Sequence, residues 1–222
     1  LAAEIAVLLG EDEELILERI RNDELEFGDG FWEPRKNKWQ ANLTRSLIGI
    51  GVISFLLDMS RLFGGEAEPP DGYRQEARLG ALTYAESYTR TTVNDIIGTS
   101  RDIVSATVAE YLASEDPSIP LLAERLREVG FDRSRARQIS ITETTRANYR
   151  AEENAATFLR NQGFEVTRIW FTSQDDRVCP ICGPLHGLPE TPQGGWDPSG
   201  VGPGAVPEAH IGCRCWTVTE LA

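Results

Sequence analysis

Basic charge is scarce in this sequence. Its 22 Lys and Arg face 35 Asp and Glu, a net charge of −13. A general nucleic-acid binder needs a basic surface to meet phosphate, so that class is set aside. Long hydrophobic runs are missing as well. The longest, 47–57 ("LIGIGVISFLL"), falls well short of the roughly 20 apolar residues of a bilayer span and reads as a buried helix or one docked on a partner. No basic stretch precedes an apolar one near Leu1, so no secretion signal is legible. HExxH, the P-loop and GxGxxG are absent. The zinc-deaminase order, His-x-Glu ahead of Pro-Cys-x-x-Cys, fails because no histidine precedes Cys179. A Cys/His nucleophile pair is conceivable, but nothing selects one thiol over its neighbours. The expectation is a protein that is not an enzyme.

Cysteine and histidine are few but concentrated. All four cysteines and both histidines lie in "DRVCPICGPLHG" (176–187) and "EAHIGCRCW" (208–216). The pattern is Cys179-x2-Cys182-x3-His186, then, after a long loop, His210-x2-Cys213-x-Cys215. Two such loops are a usual way to assemble one tetrahedral Zn²⁺. The preferred ligands are Cys179, Cys182, Cys213 and Cys215, with His210 as substitute for one of the last two thiolates, since a single intervening residue is tight. His186 is read as a supporting or loop-packing residue. Disulfides, with three possible pairings, and free thiols in a small core stay open as alternatives; without a secretion signal a reducing cytosol disfavours the disulfides. A site filled by cysteines leaves no open position, so its role would be closure of the loop.

Helical periodicity covers 4–26, with a break expected at Gly10 before Glu11 and Asp12. More than half of the excess acid lies in 1–26, as a docking surface or a solvated helix face. Residues 27–39 ("FGDGFWEPRKNKW") read as a turn-rich connector holding Pro34 and exposed Trp32 and Trp39. An apolar helix follows over 40–62, closed by Gly64-Gly65 and "EPPDG". Its Trp39, Leu43, Leu47, Ile50, Phe55 and Leu62 have few partners in the N-terminal half and are expected to form an exposed patch. A helical stretch over 73–113 has a break expected near Gly98, with Thr99 or Ser100 as cap. Past a loop at 114–120 come a helix over 120–129 ending at Gly130, and one from an Asp132 cap to about Gln162, closed by Gly163.

After Gly163 the period changes. "EVTRIWFTS" (165–173) and "CRCWTVTE" (213–220) read as strands that pair antiparallel. Between them 183–209 is rich in Gly and Pro, and a loop so long needs a tie. The fold class is α+β: a mostly helical N-terminal region, then a small loop-rich module with a two-stranded or slightly larger antiparallel sheet. The segments are 1–68, 73–130 and 131–222. On the helix before the first strand, Ala136, Ile139, Ser140, Ala147, Ala151, Ala155 and Phe158 share a face with Glu143. A buried carboxylate needs a partner. Arg177, Arg214 or loop backbone N–H groups would clamp helix to loop through it; the alternative is an exposed Glu143 paired with Arg146.

"ITETTRANYRAEENAATFLRNQGFEVTRIWFTSQDDRVCPICGPLHG" followed by "PEAHIGCRCW" resembles the Mu F-like head morphogenesis proteins of tailed bacteriophages, also called minor head or minor capsid proteins. The resemblance is close over 139–217, fainter over 93–138 and absent over 1–92. The residues that carry it are Thr142-Glu143, Asp175 or Asp176 with Arg177, Cys179, Cys182, Leu185 with Gly187, Pro207, His210 and Cys213-Arg214-Cys215. It implies a structural minor head protein that binds the portal protein, the major capsid protein or both, with possible self-association around the portal. Such a protein would assist head assembly or DNA delivery from the head interior or portal region of the virion, and would sit in host cytoplasm during assembly. Residues 1–68 would dock on portal or capsid, and 131–222 would be the Mu F-like module. Sequence-specific nucleic acid and membrane are not among the implied partners. The other reading is a zinc-dependent enzyme or effector acting on nucleic acid or nucleotide through the same loops.

Overall fold

The computed structural model describes residues 1–64, 68–114, 118–192, 194–197, 204–207 and 209–221. Gly65, the centre of the 114–120 loop and much of the Gly/Pro-rich loop lie outside them. The chain forms α1 (Ala2–Arg21), α2 (Asp29–Phe63), α3 (Tyr73–Ala113), α4 (Ile119–Val129), α5 (Arg133–Asn161), β1 (Val166–Phe171), a 3-10 turn (Gly183–Leu185) and β2 (Trp216–Leu221). This is an α+β protein, helical first and closed by a two-stranded antiparallel sheet. Packing groups it into two compact units, Leu1–Arg45 with Glu86–Ser140, and Ser46–Ala85 with Ile141–Ala222.

In the first unit the acidic helix is partly internal. Asp12 is buried and accepts from Trp39 Nε1 at 2.9 Å, with Arg35 Nε 3.5 Å away. Burial raises the Asp12 pKa, and the Trp39 and Arg35 contacts oppose that rise. Trp32 and Trp39, expected to be exposed, are each 1% exposed. The connector expected over 27–39 is the start of α2, with Pro34 inside it. A ring next to a buried acid is sequestered, whatever the turn residues around it suggest. The break expected at Gly10 is likewise absent: α1 runs through it, at the modest cost of a helical glycine. Nor does α3 break at Gly98. Thr99 and Ser100 bond the carbonyls of Asp95 and Ile96, four residues back and 3.0 Å away, as hydroxyls inside a helix do, and cap nothing.

In the second unit Phe55, Met59 and Phe63 of α2 meet Ala77 of α3 and Ala151, Ala155 and Leu159 of α5. Small residues let these backbones approach: a Cβ on Gly51 would lie 3.0 Å from that of Ala81. The expected apolar patch is therefore wrong in its membership. Trp39, Leu43, Leu47 and Phe55 are core, and Ile50 and Leu62 are half-buried; Trp39 meets Asp12 of α1, and Phe55 and Leu62 pack with residues of α3 and α5. By length and composition α2 is apolar enough to cross a membrane, with a hydropathy of 1.6, although no single run in it is long.

Asp132 caps α5 by accepting from Arg135 N at 2.8 Å. Gly163, at φ +88, closes the helix, with Phe164 N donating to Leu159 O and Gly163 N to Arg160 O. The sheet pairs Val166 with Leu221 through Phe171 with Trp216, as the periodicity predicts. Its buried face is polar: Arg168 sits opposite Thr219 and Trp170 opposite Thr217. Both threonine positions are tied to helices. Thr217 Oγ1 donates to Glu152 of α5, and Arg61 of α2 donates to Thr219 O while pairing with buried Asp58 at 2.8 Å.

Burial pushes the Glu152 carboxyl up to about 8 against the Thr217 bond that lowers it, with Asp58 adding to the rise. The folded chain thus holds this proton where the unfolded chain, near 4.5, releases it. The associated stability is full below the unfolded value and lost as pH rises through about 8. Chemical denaturation from pH 5 to 9 is expected to show a loss on the order of 2–4 kcal/mol that Glu152→Gln removes. An equally steep fall in the variant would assign the loss to another group.

Candidate metal centre

The loops between the strands return to β1. Gly187 N donates to Trp170 O at 2.7 Å and Trp170 N to Leu188 O at 3.0 Å. Trp196 and Ala205 form an isolated bridge. A Cβ on Gly204 would lie 2.1 Å from the Trp196 backbone, so glycine is required where the strands of the loop touch. These contacts surround the cysteines with Tyr149, Trp170, Leu185 and Trp196.

All four cysteines are free. Their donor atoms fall into two groups, Cys179, Cys182 and His210, and Cys182, Cys213 and Cys215; within each the ligand atoms lie within 4.8 Å of one another. Cys182 belongs to both, so the two groups meet at its sulfur. They could hold a metal ion. His210 Nδ1 lies 2.9 Å from Ile211 O, and its Nε2 3.6 Å from Cys182 Sγ. The Ile211 carbonyl raises the His210 pKa. Burial pushes the Cys182 thiol up to about 12, whereas a bond from Cys215 brings Cys213 down to about 6 and raises Cys215. Crowded cysteine sulfurs with a histidine beside them are a donor set that suits a soft cation.

His186 lies in neither group. Its Nδ1 accepts from Thr172 N at 3.1 Å and its ring meets Phe171 edge-on, which braces the loop against the end of β1. Glu143 is 3% exposed and accepts from Arg146 Nη1 at 3.2 Å. Arg214 forks onto Asp175 at 2.6 and 2.7 Å, and Arg177 lies 3.5 Å from the same carboxylate. The Arg214 bond holds the Asp175 carboxyl well below the usual range.

Two threonines carry the link between α5 and the second loop. Thr142 Oγ1 accepts from Gly212 N at 2.8 Å, and Thr145 Oγ1 donates to Cys213 O at 2.6 Å. Thr145 was not anticipated; its spacing from Thr142, one turn along the face of Glu143, was the available signal. The Arg168–Glu190 pair was also missed. Arg168, 2% exposed, bonds Glu190 through Nε at 3.0 Å and through Nη2, and lies over Tyr149 and Trp196. An arginine in an alternating strand reads as outward-facing, and only the loop return supplies its acid.

Fold and site together define a helical protein ending in a small α+β module whose long loop closes on a Cys/His cluster. Residues 118–218 match the family described as Phage Mu protein F like protein. The match supports a Mu F-like phage protein, from a family of phage head morphogenesis proteins associated with the virion. No curated protein and no solved structure matches the chain.

Thr145→Val removes the buried donor to Cys213 O at nearly constant shape. Urea unfolding is expected to show a loss of about 1–3 kcal/mol, most of it recovered in Thr145→Ser. Equal stability of the two variants would show that the hydroxyl does not hold the loop.

Proposed function

We propose that this protein is a structural minor head protein that docks on the portal or capsid shell and assists head assembly or DNA delivery. The match of residues 118–218 to the Mu F-like family carries the reading. The acidic composition, with its net charge of −13, favours protein partners over nucleic acid. The C-terminal module is a loop-rich interaction domain pinned by one structural Zn²⁺ among Cys179, Cys182, Cys213, Cys215 and His210. Bound there, the ion cross-links two loops that the chain otherwise leaves far apart in sequence. A donor set of cysteines and one histidine is that of a structural zinc site, and this favours the structural reading over the enzyme one.

The docking surface is assigned to the second unit's helices. Ile53 and Leu57 of α2 are 60% and 64% exposed, one turn apart, and Leu79 and Leu82 of α3 are exposed as well. Other virion subunits, the portal first, are the proposed cover for this apolar surface. Deletion of 1–65 is not a clean test, since it removes Phe55, Met59 and Phe63 from the core around α5. Point substitution is.

In phage carrying Ile53→Asp with Leu57→Asp, mass spectrometry of purified heads is expected to find this protein reduced at least about tenfold. Circular dichroism and melting of the purified variant are expected to stay close to wild type, because both sites are exposed. Normal incorporation would dismiss this surface as the docking face. Absence of the wild-type protein from procapsids and virions alike would dismiss the head-protein reading.

A further inference from the structure

We infer that the metal is held by three sulfurs and one nitrogen, from Cys179, Cys182, His210 and Cys213, and that Cys215 stays outside the coordination sphere. The inference rests on the reading that the cluster binds zinc, and not on a role in the head.

Two segments of equal length build the site. Cys179-Pro180-Ile181-Cys182 and His210-Ile211-Gly212-Cys213 each place two residues between donors. In each the fourth N–H returns to the first carbonyl: Cys182 N donates to Cys179 O, and Cys213 N to His210 O, both at 3.2 Å. Each turn brings its first and fourth residues together, so four donors arrive as two pairs, although the turns differ at their third residue, where Gly212 takes a positive φ and Ile181 does not. In the first turn Cys182 N also lies 3.3 Å from Cys179 Sγ, a bond that favours thiolate. In the second, Gly212 adopts φ +76, which glycine takes without strain.

His210 is preset as a ligand. A carbonyl only accepts, so the contact of Nδ1 with Ile211 O places a proton on Nδ1 and turns Nε2 inward. For tetrahedral zinc, with Zn–S of about 2.3 Å and Zn–N of about 2.05 Å, neighbouring S and N ligands stand about 3.6 Å apart. His210 Nε2 and Cys182 Sγ stand 3.6 Å apart. The second turn is also anchored to α5 at two successive residues, Gly212 N on Thr142 and Cys213 O on Thr145, which fixes Cys213 before any ion arrives.

Cys215 stands differently. It follows Arg214, whose side chain is committed to Asp175, and it precedes Trp216, already paired with Phe171 in the sheet. Its backbone leads straight into β2 at Trp216, without a turn that pairs it with a second donor, and its side chain packs beside Cys182 and Cys213 against Tyr149, Trp170 and Trp196. There it serves as a neighbouring thiol to Cys213 and completes the apolar wall.

The test uses the full chain purified under reducing conditions with zinc. X-ray absorption is expected to resolve three sulfurs at about 2.3 Å and one nitrogen at about 2.0 Å. By chelator competition, Cys215→Ser is expected to keep one zinc per chain with affinity within about threefold. His210→Ala and Cys213→Ser are expected to lose at least the ~100-fold that even supporting residues can cost a zinc site. His210→Cys, which restores a ligand, is expected to recover binding and to convert the spectrum to four sulfurs. A wild-type site of four sulfurs, or loss of zinc in Cys215→Ser with retention in His210→Ala, would overturn the assignment while leaving the zinc site intact. A chain that takes up no zinc would overturn both, and neither result bears on incorporation into heads.

Discussion

The module depends on closing one long loop. Phe171 and Trp216 pair in the sheet although the whole loop region separates them. Loop-closure entropy for a segment of that length is roughly 3 kcal/mol plus a constant, and a lone two-stranded pair is marginal in water. The loop must therefore be fastened along its course. It is fastened at Asp175–Arg214, at Trp170 with Gly187 and Leu188, at Arg168–Glu190, and at the Cys/His cluster. Where the chain passes closest to itself, Gly195 and Gly204 allow it. A metal at the cluster would add a cross-link between the first and last of these fastenings.

Helix α5 is the surface on which that fastening is done. Its alanines admit α2 closely, and its polar residues reach the module: Thr142 and Thr145 hold the second loop, and Glu152 holds β2. The sheet's inner face is polar for this reason. Threonines and an arginine would be poor core residues in an isolated sheet; here Thr217 bonds Glu152, the Thr219 carbonyl accepts from Arg61, and Arg168 pairs with Glu190. The same economy appears in the first unit, where Asp12 is shared by Trp39 and Arg35, and Glu13 meets Arg127 at 2.7 Å. Acidic residues that composition assigns to a solvated face are partly internal supports.

The second donor loop is tied to α5 through Thr142 and Thr145. Exposed apolar residues lie both on helices, at Ile53, Leu57, Leu79 and Leu82, and between the donors themselves, at Ile181 and Ile211.

Local chemistry made much of this legible in advance. The strands and their antiparallel pairing follow from alternation, the ends of α5 from Asp132 and Gly163, and the metal-competent cluster from the placement of every cysteine and histidine in two loops. Each is written in short-range spacing, and the Mu F-like motif is itself such a spacing. Partnership across the chain was not legible. Pattern alone left Trp32 and Trp39 exposed, because the acid that takes Trp39 lies on another helix. It offered Arg177 and Arg214 to Glu143, where packing gives Arg214 to Asp175, and Thr145 to the loop. Spacing ranks residues along one element, whereas a buried polar group takes whichever partner the packed elements bring within hydrogen-bond reach, and that choice belongs to the tertiary structure alone.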